Sequence, residues 1–193
     1  MAQRMTLDRE KAMATLKQYT KSESLIKHAL AVEAAMAAYA RKFGEDETKW
    51  RVTALLHDFD YEIHPTADEH PMKGADMLAE MGYPEDVVYA IRAHGDHTGL
   101  ERKSRLDKTL NAVDELTGFI SAVALVRPSK KLDEVEVSSV KKKMKDKAFA
   151  RAVSREDMLK GAEALGIPFD EHVRFVIEAM KPVAEELGLA GER

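Results

Sequence analysis

Apolar residues recur at three- and four-residue intervals along most of the chain, and no stretch alternates convincingly with the period of two expected of a half-buried strand. Thr6 or Asp8 can cap a first helix that runs to about Tyr19. Ser22 opens a second, with Leu25, Ala29, Val32, Met36 and Tyr39 at helical spacing, and Gly44 stops it. Trp50, Ala54 and Leu55 belong to a third. Pro71 suits the first turn of a fourth, whose stripe of Met77, Leu78 and Met81 ends at Gly82. Val87, Val88 and Ile91 predict a fifth, ended by Gly95, and Leu106, Leu110, Val113, Thr117, Ile120 and Ala124 predict a long sixth that stops before Pro128. The charged segment from Lys130 to Lys147 carries a short, exposed helix. Two more follow, about Arg155 to Leu165 and Asp170 to Leu187, with Gly166 and Pro168 between them and Pro182 as a kink. The expected fold is all-α, an irregular multi-helix bundle. Residues 1–128 form its core, and residues 129–193 form a C-terminal helical extension packed on that core.

Composition narrows the class. Of 193 residues, 33% are charged and 45% hydrophobic, the balance of a globular chain long enough to bury a substantial core. The net charge of −4 argues against a general nucleic-acid binder. There is no cysteine, which excludes disulfides, thiolate zinc sites and iron–sulfur clusters. The opening stretch MAQRMTLDREKAM is too charged for a secretory signal, and no apolar run reaches membrane-spanning length. A cytoplasmic location without a membrane partner is therefore expected.

Polar residues at core positions carry the chemical information. His28 lies three residues after Leu25 and four before Val32, so it points with the apolar stripe. His57 continues the face of Trp50 and Ala54, and His94 that of Val87 and Ile91. Asp114 sits one turn after Leu110 in a stretch that otherwise reads as core. One buried histidine is ordinarily a hydrogen-bonded core residue, but an unpaired buried carboxylate is costly. Several histidines and two aspartates on the inner faces of different helices point jointly to a metal ion. Adjacent residues on a helix project about 100° apart, so His57 and Asp58 can share an ion only where the helix ends.

In that order, His28, the pair His57-Asp58 and the distant Asp114 resemble the signature of the HD-domain superfamily of metal-dependent phosphohydrolases, which have an all-helical core. The resemblance covers roughly Ser22 to Val126 and rests on ALLHD, on His70 in HPxxGA, on His94 in AIRAH and on Asp114 in NAVDELTGF. The two further histidines are similar to those of the HDIG group. The resemblance implies one ion held by His28, His57, Asp58 and Asp114, and a second held by His70 and His94 with Asp58 bridging; catalysis would centre on His57 and Asp58. It also implies one or two divalent transition metals (iron, manganese or zinc rather than magnesium) and a small phosphorylated substrate such as a nucleotide, with a homo-oligomer left open. A minority branch uses the same ligands on di-iron to activate dioxygen, and a regulatory module that keeps the metal without turnover is a third reading.

Departures from the pattern matter as well. Phe59-Asp60 replaces the Ile-Gly of the HDIG group, and Tyr61 stands where a lysine often follows. Asp60 and Glu62 read equally well as acids that orient ligand histidines or as a solvated loop. Substrate candidates are Lys73, one turn after His70, His97 at the mouth of the site, and Arg127 beyond the Asp114 helix. Arg92 is rotated away from His94, Lys130 and Lys131 follow the Asp114 helix, where cations at a helix C-terminus already have a stabilising role, and the run Lys141-Lys142-Lys143 with Lys145 and Lys147 reads as a solvated face. His64 is expected to be exposed in its loop and His172 to be a cap or surface residue. Gly82-Tyr83-Pro84 is a helix stop followed by a turn.

Overall fold

The computed structural model describes residues 5–191. Helix α1 (Arg9–Tyr19) starts at Asp8, whose carboxylate accepts from the Glu10 and Lys11 amides. Helix α2 (Glu23–Phe43) ends at Gly44 in the left-handed conformation (φ 68°), the usual way to close a C-terminus. Asp46 caps α3 (Glu47–Leu56). Helices α4 (Met72–Glu80) and α5 (Glu85–Ala93) follow Pro71 and Pro84, neither of which has an amide to leave unpaired. Ser104 and Asp107 form a reciprocal capping box at the start of α6 (Arg105–Leu125). The chain continues through α7 (Val137–Met144), α8 (Arg155–Ala164), which is capped by Ser154, and α9 (Phe169–Met180). The described residues contain no strand, only an isolated bridge between Lys131 and Ala190.

The last helix is shorter than its sequence pattern predicts. It ends at Met180 and passes into a 3-10 turn, Lys181–Val183. Pro182 cannot donate to the carbonyl four residues back and so breaks the ladder there. The apolar residues beyond it still pack: the Leu132 amide donates to the Leu189 carbonyl at 2.8 Å, and Leu187 and Leu189 are buried.

Two apolar clusters make up the interior. One joins α2 and α6 to α7, α8 and α9 through residues such as Met36, Leu116, Phe119 and Val176. The other joins α1, α3, α4 and α5 through Leu16, Leu55, Leu78 and Ile91. Helices α2 and α3 contribute to both clusters. Helix α8 lies so close to α6 that an ideal Cβ on Gly161 would stand 2.6 Å from Ala112 Cα. His172 is fully buried, contrary to its expected surface or capping position. The Tyr39 hydroxyl donates to its Nδ1 at 2.6 Å, and its Nε2–H donates to the Ala112 carbonyl at 2.9 Å. Both ring nitrogens are satisfied, which is what makes a buried imidazole tolerable.

Candidate metal centre

Each helix end delivers its side chain for a local reason. Helix α3 stops at Leu56, leaving His57 as its C-cap and Asp58 in the following turn, so the two adjacent side chains swing to one place. Phe59 anchors that turn in the core, its carbonyl accepting from the Thr20 hydroxyl at 3.0 Å. His94 is likewise the C-cap of α5. His28 comes from α2 and Asp114 from α6, and the two lie 2.9 Å apart (Nε2 to Oδ1).

Two ligand groups result, one of His28, His57, Asp58 and Asp114, the other of Asp58, His70 and His94, with the candidate atoms of each within 4.8 Å of one another. In the first group, His57 Nε2 stands 3.2 Å from Asp114 Oδ1 and 3.3 Å from Asp58 Oδ2, and His28 Nε2 stands 3.6 Å from Asp58 Oδ2. In the second, His70 Nε2 and His94 Nε2 are each 3.1 Å from Asp58 Oδ1. Ligands about 2.0–2.2 Å from a metal in octahedral or tetrahedral coordination are about 2.8–3.6 Å from their neighbours, so these spacings fit an ion in each group. Asp58 turns one oxygen to each group.

The opposite ring nitrogens are also held. His57 Nδ1–H donates to the Ala54 carbonyl at 2.6 Å and His94 Nδ1–H to the Ile91 carbonyl at 2.5 Å. Carbonyls only accept, so Nδ1 keeps its proton and Nε2 is the nitrogen that can bind a metal once it is deprotonated. His70 Nδ1–H donates instead to the Asp60 carboxylate at 2.7 Å.

Among the side chains alone, the site is strongly polarised. Burial opposes charge on His57, yet Asp58 and Asp114 raise its pKa well above that of an ordinary imidazole. Burial likewise opposes ionisation of Asp58 and Asp114. The imidazoles outweigh it and hold both carboxyls below the usual range. Against the same opposition from burial, Asp58 and Asp60 push His70 up to about 9. A metal-ligating histidine must give up its proton, so these pKa values couple metal loading to pH.

The substrate candidates divide. His97 lines the cavity of about 390 Å3 over the two candidate ligand groups, and its Nε2–H donates to the His70 carbonyl at 2.8 Å. Lys73 turns to Glu69 at 2.6 Å, and Arg127 lies beside Glu134 at 3.6 Å; neither lines the cavity. Glu62 accepts from the Lys21 and Ser22 amides, tying its loop to the start of α2. His64 is half-buried, contrary to expectation, 3.4 Å from Glu69. Sequence spacing singled out none of Asn111, Glu115 and Asp157, which line the cavity. Asn111 could have been found, since it lies one turn before Asp114. Burial and the neighbouring Asp114 push Glu115 up to about 7, and Asp157 arrives on α8, far along the chain.

Residues 25–118 match the family described as HD domain, the span that supplies every residue of the two candidate ligand groups. The chain carries an HD domain. Similar relatives of the HD-domain chain include the Ribonuclease Y of Oleidesulfovibrio alaskensis, 31% identical over 98 residues that are 50% of this chain and 18% of that protein. The Ribonuclease Y of Desulfotalea psychrophila is 29% identical over 138 residues, 69% of this chain and 26% of that protein. The chain thus spans about a quarter or less of the length of these relatives. No solved structure gives a significant match. The HD domain's His/Asp groups are suited to divalent metals, and no described helix is long and apolar enough to cross a membrane.

Proposed function

We propose that the chain is a metal-dependent phosphohydrolase with a dinuclear His/Asp centre acting on a nucleotide or another small phosphoester. The observation that carries this reading is Asp58, whose two oxygens face two separate sets of Nε2 atoms at ligand spacing. His28, His57 and Asp114 would hold one ion and His70 and His94 the other, with Asp58 contributing one oxygen to each group. Nitrogen and oxygen donors without sulfur suit iron, manganese or zinc. When bound, such ions would supply Lewis acidity toward a phosphoryl oxygen and a lowered pKa for water. His57 and Asp58 would hold the ions beside the cavity, and His97, which lines it, would contact the substrate.

The cavity favours a small substrate. At about 390 Å3 it takes one small molecule, and no lysine or arginine lines it, whereas Asp96, Glu115 and Asp157 do. With a net charge of −4 and no lysine or arginine lining this cavity, a long polyanion gains no cationic contact within the site. RNA is the second reading, because the similar relatives are named Ribonuclease Y.

The test is elemental analysis of protein purified without added metal, followed by turnover assays on nucleotides, small phosphoesters and an RNA oligonucleotide. About two ions per chain and phosphate release from a small ester are expected. RNA cleavage with inert small esters would transfer the assignment to the second reading. Oxygen uptake with mixed-valent iron would replace hydrolysis by oxygenation.

A further inference from the structure

Asp60 lies outside both ligand groups, yet it is one of the most buried carboxylates in the chain, 1% exposed. One oxygen accepts the His70 Nδ1–H at 2.7 Å, and the other accepts the Gly74 amide, in the first turn of α4, at 3.0 Å. The approach is so close that an ideal Cβ on Gly74 would stand 2.5 Å from Asp60 Cγ. Glycine at position 74 therefore makes room for the acid at position 60. Backbone carbonyls hold the equivalent nitrogens of His57 and His94, so His70 is the one histidine of the three anchored by a carboxylate.

We propose that Asp60 is a positioning residue for the second ion: clamped by the Gly74 amide, it fixes the tautomer and direction of His70 so that Nε2 faces Asp58. This rests on the reading of His70 as a metal ligand. A carboxylate accepting from Nδ1–H keeps the proton on that nitrogen and makes the other a stronger donor. The alternative is that Asp60 merely caps α4.

Asp60→Asn separates the two roles, because its amide has the same shape. The amide oxygen keeps the Gly74 bond, and the amide NH2 then faces Nδ1, which must accept. The imidazole proton moves to Nε2, and the lone pair turned toward the ion is lost. The experiment compares the parent chain, Asp60→Asn, Gly74→Ala and His70→Ala by thermal melts, chelator-competition titration of each ion and 15N imidazole shifts of the metal-free proteins recorded above the His70 pKa of about 9, where its imidazole is neutral. Asp60→Asn is expected to melt with the parent chain, switch the His70 tautomer and weaken only the second ion by about 10- to 100-fold. Gly74→Ala, which retains the acid but displaces it, should weaken the same ion. If Asp60→Asn binds both ions like the parent chain while His70→Ala loses one, the positioning role is wrong and Asp60 is a cap. If His70→Ala also keeps both ions, the ligand reading itself falls, and this inference falls with it.

Discussion

Replacing His70 and Asp58 by alanine in separate variants should distinguish one ion from two. His70→Ala leaves the second group with Asp58 and His94 alone, while the first group keeps all four of its donors. Asp58→Ala removes a donor from both groups, and the fully buried His57 keeps only Asp114 as a carboxylate partner. At a free metal concentration about 100 times Kd, each ion that binds only the folded chain contributes about 2.7 kcal/mol. For a chain of this length a change of 1 kcal/mol moves Tm by about 2–4 °C, so each ion accounts for about 5–11 °C of metal-dependent stabilisation. His70→Ala should lose one such increment and most activity while still folding, and Asp58→Ala should lose both. The assay is metal stoichiometry by elemental analysis together with melts in excess chelator and in excess metal. Equal metal loss in the two variants, or undiminished turnover in His70→Ala, would refute the bridging arrangement.

Three further outcomes follow from the structure. Gly161→Ala places a methyl 2.6 Å from Ala112 Cα, and overpacking of about 1–3 kcal/mol should outweigh a helix-propensity gain of up to about 1 kcal/mol, lowering Tm. His172, held below its ordinary pKa by burial, stays neutral in the folded chain while the unfolded chain takes up a proton below about pH 6.5. Its contribution is therefore complete above that pH and is lost on acidification at a slope of up to about 1.4 kcal/mol per pH unit; the metal-free His172→Gln variant should show a shallower loss between pH 6.5 and 5 in denaturant titrations. Lys73→Ala should leave both turnover and Tm close to the parent values, since that exposed side chain pairs with Glu69 outside the cavity.

Much of this molecule was legible from spacing alone, because a helix is a local object. Apolar periodicity, the cap at Asp8 and the glycine stop at Gly44 each depend on residues within a turn or two, and those elements lie where the pattern puts them. The same locality made the polar exceptions visible, since His28, His57, His94 and Asp114 stand where their helices needed apolar residues. What spacing could not decide was which helix faces which. His172 reads as a polar residue near a helix start, and only the approach of α9 to α2 and α6 places Tyr39 and Ala112 against its two nitrogens. Asp60 reads equally well as an acid that orients a histidine or as solvated loop until α4 brings Gly74 and His70 onto its two oxygens. Asp157 enters the cavity from a helix more than forty residues beyond Asp114, because Gly161 lets α8 touch α6. Burial of a polar group is settled by partners distant in sequence, and those partners exist only once the helices have packed.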